Sequence, residues 1–452
     1  MKIVIIGDGK VGHKLAISLS SEDYDVVLID RNEKRIRSTI DQLDVICVQG
    51  NGADAQAQRE AGVGEADLVI ACASADELNM FSCLLAKRLG AKKTIARVRN
   101  PIYFDQMDLL KEDLLLTMAV NPELSTANEI ARILFFPDVS KVEVFFKGKI
   151  ELVEHALMED SRLIGLKLSE IYSKFRVKVL ICAIKRGKEV IIPDGNVVIE
   201  KGDVLHIAAS HKDLEDFFKA IGRRSKKIKN VLICGGGHIA YYLAKQLLPL
   251  NMKIKIIEKD KERAEHLSEV LPEVSIVHGD GTKADLLKEE GIEEADALVS
   301  LTGMDEENII TSLYAQTLDI PKVIAKVNEE SMIQMAEGLG MYSTVSPKSV
   351  TADAIIRYVR AINNSAESSN IQTLYHLVNE RVEAAEIIIE KDAHFVNVPL
   401  KDLKMKKNCL IACIGRGKEI LIPGGEDRIQ VGDSVIVITS NQGIDDFTDV
   451  LV

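Results

Sequence analysis

The chain repeats itself. Residues 2–30 read KIVIIGDGKVGHKLAISLSSEDYDVVLID and residues 230–258 read NVLICGGGHIAYYLAKQLLPLNMKIKIIE, one order of strand, glycine turn, helix and acid-ended strand stated twice. Such a duplication constrains the architecture before any local assignment, because each copy tests the other. An offset of 228 carries Gly7 to Gly235, Gly9 to Gly237, Gly12 to Ala240 and Asp30 to Glu258. Downstream, VQGNGADAQAQREAGVGEADLVIACASADELNM aligns with VHGDGTKADLLKEEGIEEADALVSLTGMDEENI, VNPELSTANEIARIL with VSPKSVTADAIIRYV, and ICAIKRGKEVIIPDGNVVIEKGDVLHI with LIACIGRGKEILIPGGEDRIQVGDSVIVI.

A chain of 452 residues exceeds what one core serves, so two to four domains are expected, and the repeat makes it four. The spacing predicts two tandem Rossmann-like α/β lobes at 1–140 and 230–365, each followed by a small strand-rich α+β lobe, at 141–222 and 366–452. Between the halves, 223–229 forms a basic linker with Arg223, Arg224, Lys226, Lys227 and Lys229, read as a solvated run, with acidic lipid or a partner as the alternative contact. The net charge of -12 opposes a polyanion, which excludes nucleic acid as the expected partner. No apolar run reaches the roughly 18 to 20 residues of a membrane span, and Met1 to Ile6 opens a strand rather than a signal peptide, so a cytosolic protein is expected. The seven cysteines show no paired CxxC spacing, and neither metal nor disulfide is expected.

Short β-branched runs (KIVII, DVVLID, VICVQ, DLVIACA, TIARV) alternate with helical periods at 11–20, 54–61 and 77–89, the mark of a parallel sheet with crossover helices. Asn121-Pro122-Glu123 reads as an N-cap, a first-turn proline and an acid at the positive helix end, and Ser346-Pro347 starts the matching helix. The apolar stripe of that helix runs past the last strand and is expected either to pair lobes or to fill an ordinary core. In the small lobes, Arg186-Gly187-Lys188, Lys201-Gly202-Asp203, Arg416-Gly417-Lys418 and Val431-Gly432-Asp433 read as hairpin turns, and no cluster of acids, histidines or nucleophiles is evident.

Gly7-Asp8-Gly9-Lys10-Val11-Gly12 follows a strand and opens a helix, and Asp30 ends the next strand. Gly7 permits the turn, Gly9 lets the backbone approach a diphosphate, and Gly12 lets the helix lie close on the sheet. The helix N-terminus offers free N–H groups to phosphate, while Asp30 suits the hydroxyls of an adenosine ribose. An acid there disfavours a 2′-phosphate, so NAD or NADH is expected over NADP, although the same cradle suits ATP or ADP. Arg31 is expected to partner Glu33 or the adenine face. Asn51-Gly52 and Ala73-Ser74 fall at C-terminal strand ends, where ligands of open α/β sheets collect, and Arg97 reaches toward phosphate. The corresponding second-half set is Gly235, Gly236, Gly237, His238, Ile239, Glu258, Asp280, Gly281, Leu301, Thr302 and Lys326, expected to keep nucleotide capacity in a modified form.

Taken together, GDGKVG with Asp30, GNGAD at 50–54, SADELNM at 74–80, ARVRNP at 96–101, the NPEL helix start and the paired C-terminal lobes resemble the RCK or KTN domain family, cytosolic regulators of potassium conductance. The resemblance covers essentially the whole chain. It implies N and C lobes in tandem, four chains forming an eight-unit ring, and a peripheral place at the inner face of the membrane beside a separate Trk-type potassium-translocating subunit. It also implies NAD(H), ATP or ADP at the Rossmann cleft, and a ligand that biases conformation rather than reacting.

Two other functions are open at this stage. One is an NAD-dependent oxidoreductase, which needs a general acid or base near the nicotinamide; the nine histidines form no evident pairing with acids, and His278 matches Gln49 in the other half. The other is a nucleotide sensor acting on a non-channel partner.

Overall fold

The computed structural model describes residues 1–22, 24–135, 139–146, 149–222, 228–367, 371–377, 381–390, 393–417, 419–440, 444 and 446–452. Arg223, Arg224, Lys226 and Lys227 of the expected basic linker, and Lys418 of one expected turn, lie outside these residues.

In the first half, β1 (Lys2–Ile6), β2 (Asp25–Asp30), β3 (Ile46–Gln49), β4 (Leu68–Ala71), β5 (Lys93–Arg97) and β6 (Met118–Val120) make a parallel sheet ordered β3-β2-β1-β4-β5-β6. The crossovers carry α1 (Lys10–Ser20), α2 (Glu33–Gln42), α3 (Ala55–Glu60), α4 (Asp76–Leu89), α5 (Pro101–Phe104) and α6 (Met107–Leu110), and α7 (Pro122–Phe135) follows β6. With helices on its faces the sheet buries both sides of its central strands, which is why β1 and β4 are unbroken apolar runs; Ile3, Val4, Ile5, Leu68 and Val69 are fully buried. An antiparallel sheet ordered β10-β9-β11-β8-β7 comes next, from β7 (Lys141–Phe145), β8 (Ile150–Ala156), β9 (Leu180–Arg186), β10 (Glu189–Ile191) and β11 (Val204–Ala209), with α8 (Ile171–Phe175) and α9 (His211–Ala220).

The second half repeats this plan. Its parallel sheet is ordered β14-β13-β12-β15-β16-β17, from β12 (Asn230–Cys234), β13 (Lys253–Glu258), β14 (Ser275–His278), β15 (Ala297–Ser300), β16 (Lys322–Lys326) and β17 (Thr344–Val345). Its helices are α10 (His238–Leu247), α11 (Lys261–Val270), α12 (Ala284–Glu289), α13 (Asp305–Thr317), α14 (Glu330–Gly338) and α15 (Pro347–Glu367). The small sheet is ordered β18-β19-β22-β20-β21, from β18 (Ile371–Leu377), β19 (Val382–Ile388), β20 (Cys409–Arg416), β21 (Glu419–Leu421) and β22 (Ser434–Thr439).

Like lobes associate with like. One compact unit holds Met1–Ala131 with Lys229–Ile356, and so both parallel sheets; the other holds Arg132–Ile228 with Arg357–Val452. In the first unit, Asn121 Nδ2 donates to the Tyr242 hydroxyl at 3.0 Å and Gln246 Nε2 to Asn128 Oδ1 at 2.7 Å, tying the start of α7 to α10 of the other lobe. That is the lobe-pairing outcome for this helix. In the second unit the two antiparallel sheets share an apolar seam in which Leu152, Ala183 and Ala208 meet Ala384, Cys413 and Ile438.

The small lobes are pinned by a device that recurs. Arg186 at the end of β9 donates from Nε and Nη2 to the two carboxylate oxygens of the fully buried Asp203, both at 2.8 Å, and Arg416 does the same to Asp433 at 2.8 Å twice. Gly187, at φ +59, closes the β9–β10 hairpin as expected. Lys201-Gly202-Asp203 departs from the hairpin expectation, because β11 pairs with β8 and β9 rather than with β10; its tight turn aims Asp203 at Arg186 instead. All seven cysteines are free.

The small lobes also hold more titratable structure than their spacing suggested. His206 on β11, only 3% exposed, stands opposite Glu154 on β8, with Nε2 and Oε2 3.9 Å apart. Burial pushes its imidazole pKa below the ordinary value, opposed by Glu154 and reinforced by Lys141 and Lys185. An unfolded histidine takes up a proton near pH 6.5 while the folded one resists, so the unfolded state binds more protons and stability falls as pH drops through that range. Urea midpoints at pH 7.5 and 5.5 are expected to show this loss, and His206→Ile, the residue type of Ile436 in the other lobe, should diminish it.

Candidate functional site

The first parallel sheet opens a cleft of about 370 Å³ at the C-terminal ends of its strands, within the range of small-molecule sites. Its floor is the turn from β1 into α1. Gly7 sits at φ +104, and a Cβ there would lie 2.8 Å from the Ala73 nitrogen; a Cβ on Gly12 would lie 1.9 Å from the Gly7 carbonyl oxygen. Gly9 differs: it caps α1 with no side-chain hydrogen bond, and an added Cβ would meet nothing within 4 Å. The first turn of α1 is thus uncapped and open to the cleft, where an anion would meet its N–H groups and the positive end of the dipole.

Of the expected first-half residues, Gly7, Gly9, Lys10, Val11, Asp30, Arg31, Asn51, Gly52, Ala73, Ser74 and Arg97 line this cleft. Asp8 and Gly12 do not. The Asp8 carboxylate is buried behind the turn, accepting from the Thr39 hydroxyl at 2.6 Å and lying 3.1 Å from His13 Nδ1, so it braces the loop rather than facing a ligand. Gly12 acts by letting α1 approach. Asp30 accepts from the Asp8 N–H and the Asn32 N–H, each at 2.7 Å, which orients its carboxylate while leaving lone pairs on both oxygens. Arg31 lines the cleft but does not pair with Glu33, whose partner is Arg37; the guanidinium beside Asp30 is that of Arg35, at 3.8 Å.

Arg97 is held by donation from Nη2 to the Ala73 carbonyl at 2.6 Å, while its buried Nε has no partner among the described residues. Burial lowers its pKa from the ordinary arginine value. Nearby, the exposed Arg99 donates from Nε to Glu123 Oε1 at 2.6 Å, and the buried Glu123 Oε2 has no hydrogen-bond partner among the described residues. The wall opposite comes from the other half: Asn328, Pro347 and Lys348 line the same cleft. The open glycine, the uncapped helix and the orphaned guanidinium nitrogen fit a phosphate-bearing ligand, with Asp30 placed for a sugar hydroxyl.

The second half keeps the frame and changes the chemistry. Gly235 sits at φ +102 with the Leu301 carbonyl 2.8 Å from a hypothetical Cβ, and Gly237, like Gly9, faces open space. Glu258 accepts from the Gly236 N–H at 2.6 Å and the Asp260 N–H at 2.7 Å, the arrangement of Asp30 with one methylene more. His238 and Ile239 begin α10, Ile239 buried and His238 exposed, with its pKa lowered chiefly by desolvation. Asp280 precedes Gly281, accepts from the Thr282 hydroxyl at 2.7 Å and pairs with Lys259 at 3.1 Å; these contacts, the hydroxyl's foremost, hold its carboxyl down to about 2. The Thr302 N–H is occupied by Asn308, and Lys326 reaches the Leu301 carbonyl at 3.4 Å.

Sequence reasoning missed Arg35, Leu78, Arg99, Glu123, Asn328, Pro347 and Lys348 as cleft residues. Arg99 and Glu123 lie inside the motifs ARVRNP and NPEL, so adjacency to Arg97 and to the helix start was a usable signal. The three second-half residues had none, since only the pairing of lobes brings them near.

Comparison with known proteins follows the same division. Residues 3–122 and 231–347 match the TrkA-N domain model, and residues 152–222 and 384–452 match the TrkA-C domain model. The chain is 33% identical over 447 residues to the Trk system potassium uptake protein TrkA homolog 1 of Methanosarcina mazei, covering 97% of each chain. It is 35% identical over 437 residues to the TrkA homolog of Archaeoglobus fulgidus, again covering 97% of each. Among solved structures it resembles the GsuK channel bound to NAD, with a TM-score of 0.62 and 20% identity over 97% of this chain and 76% of that one. GsuK bound to ADP gives a TM-score of 0.50 at 18% identity, over 81% and 69%.

Proposed function

We propose, from the premise that the chain belongs to the TrkA family of Trk-system potassium uptake proteins, that it binds NAD(H), or ATP and ADP, in the first Rossmann cleft and thereby gates a separate membrane potassium-translocating subunit. The chain is a regulatory protein of potassium uptake built of tandem RCK domains and is not an enzyme. Among the described residues no helix is long and apolar enough to cross a membrane, which agrees with the translocating path lying in another polypeptide.

The observation that carries the nucleotide reading is the union of an uncapped α1 N-terminus, an oriented Asp30 and the Arg97 guanidinium in one cleft. Gly7, Gly9 and Lys10 would hold the diphosphate, Asp30 the adenosine ribose, and Asn51, Ala73 and Ser74 the flanks. The ligand supplies binding energy and no reaction. That GsuK has been solved with NAD and with ADP is a property of that channel, and it agrees with this reading.

Assembly into a ring of four chains, peripheral at the inner membrane face, is the partner arrangement we propose. It is supported by apolar side chains that the single chain leaves outside: Phe81 on α4 and Ile310 at the matching place on α13 are 52% and 68% exposed, with Ile102, Leu109, Met335 and Leu339 also exposed. Moving a two-state gate from 1:99 to 99:1 takes about 5.5 kcal/mol of differential binding, and over several clefts that is on the order of 1 kcal/mol each. One altered phosphate or sugar contact supplies as much.

The test is potassium flux into vesicles carrying the cognate translocating subunit. Added protein with NADH or ATP should change flux in a nucleotide-dependent manner, and Asp30→Ala should remove that dependence while leaving the protein bound to the vesicles. Flux indifferent to nucleotide would sink the gating role. Nicotinamide turnover with a small carbonyl compound, lost on changing His278, would favour the oxidoreductase instead.

A further inference from the structure

The two strand–turn–helix frames are copies whose surrounding charges have diverged. Six cationic side chains line the first, namely Lys10, Arg31, Arg35, Arg97, Arg99 and Lys348, against two acids, Asp30 and Glu123. Both acids lie against a guanidinium, Asp30 near Arg35 and Glu123 on Arg99. Lys10 pairs with Glu329 at 3.5 Å, and the balance of the lining is positive.

At the matching positions of the second half, Asn51 becomes Asp280 and Leu78 becomes Glu307. Each change adds negative charge. The cations that remain there are partly engaged within the protein. Lys259 lies 3.1 Å from Asp280 and also feels Glu307, and the two acids raise its pKa, the hydrogen bond to Asp280 contributing most.

The halves also exchange side chains. Glu123 and Lys348 occupy the same place after the helix-opening prolines of α7 and α15. Lys348 lines the first cleft, a cation delivered from the second half. Glu123 in turn bears on His238 and Lys326 of the second cleft: burial lowers both pKa values, and Glu123 opposes that shift, with Arg99 countering it. The first half thus brings the Arg99–Glu123 ion pair to the second, with no net negative charge.

Resting on the nucleotide reading above, we propose that the clefts are charge-polarised: the first is the one polyphosphate site of the chain, and the second, through Asp280 and Glu307, rejects a nucleoside triphosphate. Like charges held close in a partly buried site oppose each added phosphate, whereas the first cleft gains from each. Asp280 and Glu307 are specificity-determining residues of this arrangement. Asp280→Asn restores the first-half type without disturbing the loop, since Asn51 Oδ1 accepts from the Ala53 N–H at 3.2 Å much as Asp280 Oδ1 accepts from the Thr282 N–H at 3.1 Å.

Equilibrium dialysis of the full chain with labelled ATP in EDTA, which removes divalent cations that would mask the charge, tests this. The wild type should take one ATP per chain, Asp30→Ala should take none in the same range, and Glu258→Ala should still take one. The double variant Asp280→Asn/Glu307→Leu should take a second ATP at least tenfold more tightly than the wild type does. Two equivalent ATP per chain in the wild type, or a single site lost with Glu258→Ala and kept in Asp30→Ala, overturns the polarity. A double variant still limited to one ATP overturns the role of these two acids. Absence of ATP, and of labelled NADH dialysed in the same way, from the wild type and every variant would instead remove the nucleotide reading on which the proposal rests.

Discussion

Gly12→Val is expected to abolish nucleotide binding in the first cleft and to destabilise its lobe by about 3 kcal/mol or more. The Cβ of any residue at 12 would lie 1.9 Å from the Gly7 carbonyl oxygen and 3.0 Å from the Cys72 sulfur. Neither neighbour can yield: the Gly7 oxygen belongs to the phosphate turn, and the Cys72 thiol is buried on β4's end. Relief requires α1 to lift from the sheet, carrying its open N-terminus away from Asp30. Valine adds a β-branch whose rotamer freedom the helix restricts further. Binding and stability should fall together, read by calorimetry and by a urea melt of the same sample. The second half makes a useful contrast, because Ala240 already stands at the corresponding place. Gly12→Ala should therefore lose less than Gly12→Val.

Arg186→Ala should lower the stability of the small lobes by roughly 3 kcal/mol, with Arg416→Ala close behind. Asp203 is fully buried, and both its oxygens receive the fork of Arg186; Oδ2 has one further donor, the Glu200 N–H at 2.9 Å. Deleting the arginine strands a carboxylate without its charge partner, which costs far more than the pair itself contributes. The double replacement Arg186→Met/Asp203→Leu should recover much of the loss, since it removes the stranded charge along with the pair. Chemical denaturation of the three variants separates these cases: equal loss in single and double variants would mean that the arginine acts through packing of its stem.

The local part of the site was legible in the sequence. A glycine turn between β1 and α1, an acid closing β2 and an arginine on β5 are each set by short-range geometry, and the duplicated spacing identified them. What failed was the direction of a side chain within a motif: Asp8 sits in the glycine run yet turns inward to Thr39, because the turn that exposes Gly9 points its neighbour behind the sheet. Lys348 and Asn328 were out of reach for a different reason, since they approach the first cleft only once two lobes, distant in sequence, pack through Tyr242 and Gln246. The Arg186–Asp203 staple fell between these extremes. Both residues lie in turns that were noticed for their glycines, but a bond across 17 positions follows from the antiparallel register and not from turn composition.

Calorimetric titration of NADH, NAD, ATP and ADP into the wild type and Asp30→Ala addresses the central claim most directly, that a carboxylate and main-chain amides of the first cleft grip an adenine nucleotide. A charged hydrogen bond contributes about 1.5 to 3 kcal/mol, so the variant should bind roughly ten- to a hundredfold more weakly while a melt of the same sample shows it folded at the temperature of the titration. Equal affinity of the two proteins for all four nucleotides would contradict the account.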